Sequence, residues 1–285
     1  MQQSAKPNRV GIEGVSYSLA HVPDLVRFGS KPLRELRAQP ALNAELAKRL
    51  RDFATATAYA PHQVYIGNIA PEKLRDLPQP WYERLIEGAT AQGRDGDLVD
   101  QNKFYALLAG ADQFDLICFE EKWFQAHAAQ HSIGRAARFK PLSEIQTLCD
   151  KGALPLYSGS QLVGAFEAAH EEDASLAAEV LLENLSGKVS AAHALRLVLA
   201  QLALKPDDID FVISCSEEAV GDRYNRGGGN LAKAIAEDAG CGNAAGCDVK
   251  AFCAGPMYAL VQGASMIQSG VAQKVAVVAG GSLAK

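Results

Sequence analysis

The last eighty residues constrain the architecture most. From position 209 the chain alternates apolar strand-like runs with helical stretches at regular spacing. Residues 209–214, 246–251 and 274–279 read as strands. Between them, 227–239 and 256–269 read as helices, closed by Gly240 and Gly270. Strands separated by helices of this length return in the same direction. They build a largely parallel sheet through right-handed crossovers, with helices on both faces.

The earlier chain has a different texture. Residues 10–17 alternate apolar with small or polar side chains and predict a strand. A long, mostly helical stretch follows. Leu42, Leu46, Leu50 and Phe53 share one helical face, and Pro61 is expected to end that helix. Residues 68–80 carry three prolines and read as a loop with a short helix, and 93–97 as a turn cluster. Asp100 is placed to cap a helix ending near Gly110. Residues 114–119 suggest a short strand and 120–130 a helix, while Ser158-Gly159-Ser160 between two apolar runs predicts a hairpin. Asp173 can cap a helix over Leu176, Val180 and Leu181, and a second helix carries Val189, Leu195, Val198, Leu199 and Leu202. The organisation expected is a first core strand in 1–30, a mostly helical insertion in 31–170, and an α/β unit in 171–285. Counting the upstream strands, the sheet is expected to be five-stranded, mostly parallel and covered by helices.

Charge and composition exclude several functions. Lys plus Arg total 28 against 33 Asp plus Glu, a net charge of -5. Nucleic-acid-binding domains are usually basic, so no nucleic-acid partner is expected. No apolar run approaches the length of a membrane helix, and the first nine residues lead into no apolar stretch of the signal-peptide kind. No membrane association is expected, and the cytoplasm is the expected location. The six cysteines form no C-x-x-C pair, and all six histidines precede the last four cysteines. Free thiols and no metal site are therefore expected. Arg226-Gly227-Gly228-Gly229 follows its strand too distantly for a dinucleotide loop and lacks a Walker lysine. It reads as a turn, solvated or on the rim of a site. Glu217-Glu218 is open to the same two readings.

The sharpest chemical signal lies in Phe252-Cys253-Ala254-Gly255-Pro256. It falls between a strand and a helix whose first turn suits Pro256. A thiol at a helix N-terminus meets unpaired N–H groups and the positive end of the dipole, and both stabilise a thiolate. The same N–H groups, that of Cys253 included, suit an oxyanion. Ala254 and Gly255 are small enough to let a substrate approach. The plainer alternative is a small thiol packed in the core. His193, the nearest histidine in sequence, is flanked by Ala192 and Ala194 and reads as a packing residue.

The order of these motifs resembles the N-terminal half of ketoacyl synthase III within the thiolase-like superfamily. There the Cys-Ala-Gly cysteine is the acyl-accepting nucleophile. A fuller resemblance is to the beta subunit of component C of glycine/sarcosine/betaine reductase. It rests on Ser214-Cys215-Ser216-Glu217-Glu218-Ala219-Val220-Gly221-Asp222, Arg226-Gly227-Gly228-Gly229-Asn230 and Phe252-Cys253-Ala254-Gly255-Pro256. It is joined by His21-Val22-Pro23-Asp24, Tyr65-Ile66-Gly67-Asn68 and Pro80-Trp81-Tyr82-Glu83. The resemblance implies a thiolase-like N-terminal half with Cys253 as catalytic nucleophile and oxyanion donor, and Arg226, Asn230, Phe252 and Gly255 on the rim. It implies an enzyme component that forms an acetyl thioester and passes it to phosphate, giving acetyl phosphate. No bound cofactor is implied, with phosphate or coenzyme A as acceptor. Implied partners are a second copy or a companion alpha subunit, and an acyl-carrying (seleno)protein, in the family the component A that carries a carboxymethyl group on its selenocysteine. A decarboxylating ketoacyl synthase III activity and a non-catalytic scaffold role are the alternatives. Thiolase-like enzymes draw His and Asn, or a second His, from their second half, and nothing here matches those residues. The chain is therefore expected to be incomplete as a catalyst.

Overall fold

The computed structural model describes residues 10–28, 33–216 and 230–281. Strand β1 (Tyr17–His21) leads into five short helices, α1 (Pro23–Phe28), α2 (Leu33–Ala38), α3 (Pro40–Arg49), α4 (Phe53–Ala58) and α5 (Ala60–Tyr65). Strand β2 (Gly96–Asp100) then pairs in parallel with β1, Leu19 opposite Leu98. Helix α6 (Gln101–Ala111) follows directly, and Asp100 caps it by accepting from the Lys103 N–H at 3.0 Å, as expected. Next come β3 (Ile117–Phe119), α7 (Glu121–His127), α8 (Leu142–Asp150) and the hairpin strands β4 (Leu154–Ser158) and β5 (Gln161–Phe166). These strands form an antiparallel sheet in the order β3-β5-β4, with Gly159 at φ +63° making the hairpin turn.

The long helix α9 (Ala178–Gln201) joins two cores. Its first half sends Leu181, Leu182, Leu185 and Val189 among Phe119, Trp123 and Phe166. Its second half sends Ala191, Ala192, Leu195 and Leu199 against the last unit. That unit contains β6 (Phe211–Ser214), α10 (Leu231–Asp238), β7 (Ala245–Asp248), α11 (Gly255–Gln268) and β8 (Val275–Val278). Its three strands are parallel in the order β7-β6-β8. Successive residues of β6 face opposite sides: Val212 packs with α9 and α10, and Ile213 packs beside Ala259 of α11. Helices thus cover both faces, as the alternating rhythm requires.

Several expectations are corrected. Among the described residues the parallel sheet has three strands, not five. β1 takes β2 as its partner, the hairpin makes β4 and β5 antiparallel, and β3 pairs antiparallel with β5, so none of them extends it. The first strand occupies Tyr17–His21 instead of 10–17, and Ile12 and Val15 are exposed. Gly14 lies against α9, where an added Cβ would stand 3.0 Å from Val198 and Leu202 side-chain atoms. Pro61 does not end a helix but sits in the first turn of α5, where its missing N–H costs nothing. The two helices read between Leu176 and Leu202 are one 24-residue helix preceded by a short 3₁₀ turn, Ala174–Leu176, which Asp173 caps.

One buried charge ties α9 to β2. The Asp97 carboxylate accepts from His193 Nε2 at 3.0 Å and Gln92 Nε2 at 3.1 Å, and pairs with the Lys103 ammonium. His193 is thus buried but engaged, and its Nδ1 has no hydrogen-bond partner among the described residues. Burial pushes the Asp97 carboxyl up, but hydrogen bonds from His193 and Lys103 outweigh it and hold the pKa at about 2. Its folded pKa therefore lies below that of an unfolded aspartate. Its contribution, about 2 kcal/mol by linkage, is complete above the unfolded pKa and is lost as pH falls from about 4 towards 2. Asp97→Asn should lower the urea-unfolding free energy at pH 7 by at least that amount. The gap between variant and wild type should narrow across the acidic window, and a pH-independent gap would contradict this account.

Candidate active site

The carboxyl ends of β6, β7 and β8 lie on one edge of the sheet, because the strands are parallel. Open α/β sheets place their ligands at that edge. Strand β7 ends at Asp248, whose two carboxylate oxygens accept from the N–H groups of Leu231 and Ala232, each at 2.9 Å. An anion here satisfies donors at the start of α10 and complements its dipole. Asn230 caps the same helix, accepting from Lys233 N–H at 2.7 Å, and its amide donates to the Gly246 carbonyl at 3.2 Å. The side chain of Asn230 is therefore occupied in stapling α10 to β7.

Beyond Asp248, the Val249 N–H donates to the Ser214 carbonyl at 2.8 Å and prolongs the pairing by one residue. The chain then turns sharply. Phe252 adopts φ +47°, a left-handed conformation that costs about 1–2 kcal/mol for a residue with a Cβ. Phe252, Cys253 and Ala254 form one 3₁₀ turn, closed by the Ala254 N–H on the Ala251 carbonyl at 3.0 Å. Gly255 then opens α11 with Pro256 in its first turn. Gly255 is buried, and a Cβ there would lie 3.3 Å from Cys215 Cβ and 3.7 Å from the Val249 carbonyl oxygen. The missing side chain lets the start of the helix dock against the end of β6.

The turn presents Cys253 to solvent, and it is the one exposed thiol among the six. That removes the alternative of a thiol packed in the core. Cys118, Cys215 and Cys241 are buried, and burial pushes each thiol up. Cys149 and Cys247 are half-buried, and Cys247 Sγ accepts from Gln262 Nε2 at 3.3 Å. Phe252 beside Cys253 is 84% exposed, and Met257, Tyr258 and Val261 on α11 are each more than 60% exposed. The structure therefore brings Cys253, Phe252 and Gly255 together on one turn, with Asn230 at the head of α10. Arg226 and Glu217-Glu218 lie outside the described residues. Among the described residues no group of three or more His, Cys, Asp or Glu side chains is arranged to hold a metal. Nor is any helix long and apolar enough to cross a membrane.

Sequence reasoning passed over Ser216 and Lys250 as site residues. Ser216 Oγ accepts the Gly280 N–H at 2.7 Å, and Lys250 Nζ donates to the Ser216 carbonyl at 2.6 Å. The signal available was the pair of serines straddling Cys215 at the end of an apolar strand.

The family model described as 3-oxoacyl-(acyl-carrier-protein) synthase III matches residues 247–285, the stretch that contains the Cys253 turn. The glycine/sarcosine/betaine reductase complex component C subunit beta of Peptoclostridium acidaminophilum is 38% identical over 288 residues. The match takes in 96% of this chain and 56% of that protein, so the chain spans a little over half the length of its relative. Among solved structures, the priming beta-ketosynthase of the R1128 polyketide biosynthetic pathway is 33% identical, with a TM-score of 0.29. That similarity covers 32% of this chain and 26% of the ketosynthase. The 3-oxoacyl-(acyl-carrier-protein) synthase III of Aquifex aeolicus VF5 is 23% identical over 33% of this chain and 29% of its own, also at 0.29.

Exposure and burial together predict the order of thiol labelling. With substoichiometric iodoacetamide at pH 7, Cys253 should be alkylated about tenfold or more faster than Cys118, Cys215 or Cys241. Peptide mapping in which Cys215 or Cys241 reacts first would sink the assignment of Cys253 as the reactive thiol.

Proposed function

We propose that this chain, a homologue of the beta subunit of component C of the glycine/sarcosine/betaine reductase complex, carries an acetyl group as a thioester on Cys253 and passes it to phosphate. The observation that carries the reading is the exposed Cys253, held on a left-handed turn at the N-terminus of α11 and at the carboxyl edge of a parallel sheet. The chemistry is assigned to the unit 171–285. The Cys253 thiolate attacks the carbonyl carbon of the acyl donor, and the donor's leaving group departs. The Cys253 N–H and the start of α11 stabilise the tetrahedral oxyanion. Phosphate oxygen then attacks the thioester carbonyl, the carbon–sulfur bond breaks, and acetyl phosphate leaves with the thiolate restored. Phe252 and Gly255 lie at the rim, while Asn230 fixes α10 behind it.

In this reading the chain works with subunit partners. Component C beta is by name one subunit of a reductase complex, and a companion alpha subunit or a second copy is the assigned neighbour, with an acyl-carrying selenoprotein as donor. The cytoplasm is the assigned location. The match of 247–285 to the synthase III family supports one alternative chemistry, a decarboxylating condensation: Cys253 takes the acyl group from acyl-CoA, a carrier-bound carboxyacyl thioester loses CO2, and the carbanion so formed attacks the Cys253 thioester and releases the thiolate. The acceptor separates them: phosphate releases acetyl phosphate, whereas a carrier thioester yields a ketoacyl product.

Acyl transfer with turnover also needs a group that manages protons or polarises the carbonyl. Residues 246–260 contain no histidine, and His193 is buried against Asp97. Incubated with acetyl-CoA, the chain should gain one acetyl group by intact mass, and Cys253→Ala none. Without partners, acetyl phosphate should not exceed about one equivalent, since losing a general acid or base costs about 10²–10⁴ in rate. Acetylation that survives Cys253→Ala would overturn the nucleophile, and sustained turnover by this chain would overturn the need for a further group.

A further inference from the structure

Ser216 lies two residues beyond β6 and is 1% exposed. Its Oγ accepts the Gly280 N–H at 2.7 Å and the Ser214 hydroxyl at 2.9 Å. Its own N–H donates to Ser214 Oγ at 3.3 Å, and its carbonyl accepts from Lys250 Nζ at 2.6 Å. Gly280 lies two residues beyond β8, and Lys250 two residues beyond β7. The carboxyl ends of all three strands thus converge on one buried serine. None of these bonds belongs to the sheet ladders, which end at Ser214, Asp248 and Val278. The Gly280 side of the clamp is itself pressed onto α9, where a Cβ on Gly280 would fall 1.8 Å from the Gly187 carbonyl oxygen. It therefore offers a fixed reference against which the Cys253 turn is set.

We infer that Ser216 is a positioning residue for the Cys253 turn, acting through Lys250 and Gly280; this rests on the thioester reading above. The turn needs external restraint, because Phe252 holds a left-handed conformation with its side chain in solvent. Lys250, three residues before Cys253, joins the turn to the Ser216 carbonyl. The Ser216 hydroxyl locks that carbonyl's peptide against the Gly280 segment. The clamp matters for one class of reaction only. Acyl transfer requires sulfur and oxyanion donors in fixed register, whereas alkylation of an exposed thiol develops no oxyanion and needs access and ionisation alone.

The test compares two rates at Cys253, acetylation by p-nitrophenyl acetate and alkylation by iodoacetamide, followed by peptide mapping. Ser216→Ala and the surface variant Lys250→Met should each slow acetylation about 10–100-fold while alkylation stays within about twofold. Lys250→Arg keeps a donor on a long stem and should recover most of the acetylation rate. Lys250→Met guards the test against misfolding of the buried Ser216 variant. Wild-type acetylation in both Ser216→Ala and Lys250→Met overturns the positioning role alone. So does a parallel fall in both rates, which signals general loosening, or failure of Lys250→Arg to recover acetylation. A wild-type chain that alkylates but never acetylates at Cys253 overturns the thioester reading, and this inference with it.

Discussion

Strand β6 is hydrogen-bonded along both edges, to β7 on one side and β8 on the other, and it is only four residues long. A central strand this short must satisfy its faces as well as its edges. Val212 and Ile213, both fully buried, do so by facing opposite helix layers. Three features around the Cys253 turn are referred to the end of that strand. Val249 pairs with its last carbonyl, Gly255 packs on Cys215, and Ser216 gathers the segments beyond β7 and β8. The strained conformation of Phe252 persists because the residues on either side are tied to β6. Its cost of about 1–2 kcal/mol is comparable to one or two of these hydrogen bonds.

Helix α9 extends the same logic across the molecule. It is apolar on more than one side, because its two halves serve different cores. Two of the polar groups it buries reach across to other elements, whereas Ser186 Oγ has no hydrogen-bond partner among the described residues. Lys188 donates to the Ala111 carbonyl at 2.7 Å, and His193 reaches the Asp97 carboxylate. Such contacts fix the rotation of the helix as apolar packing alone would not, since hydrogen bonds are directional and burial is not.

These contrasts explain what the sequence disclosed. The parallel unit was legible because it repeats a local rule: apolar run, helix, glycine, apolar run. The Cys253 turn was legible because small residues and Pro256 mark a strand-to-helix junction. Strand β2 was not, because Gly96-Asp97-Leu98-Val99-Asp100 is half polar and abuts a turn cluster, so it reads as loop. Its acidic residue is buried where Lys103 pairs with it and His193 hydrogen-bonds to it, and His193 stands 96 positions away. Helix α8 went unread although Leu142–Asp150 is amphipathic, with Ile145 on its buried side. The expected five-stranded sheet failed for a related reason. Strand-forming residues announce a strand but not its partner, and pairing is decided by tertiary geometry. For Ser216 the pair of serines straddling Cys215 was the one local sign, and it did not disclose the role, since the partners Gly280 and Lys250 lie beyond the ends of other strands.

The setting of Cys253 bears directly on what these residues can do chemically. Hydrogen-bond donors stabilise an oxyanion strongly where water is excluded and weakly where it is not, because bulk water screens the same dipoles. Here the thiol is exposed, Phe252 beside it is 84% exposed, and the outward side of α11 presents Met257, Tyr258 and Val261 to solvent. An open turn of this kind lets an activated donor reach the sulfur, and the first displacement then rests on the thiolate and on oxyanion donors held in register with it. The second displacement is more demanding. In the proposed transfer to phosphate, that anion has to compete with water for the thioester, and it gains an advantage only where water is displaced and the anion is held. Exposure therefore favours loading over turnover, and the two halves of the reaction differ in how much surrounding structure they require.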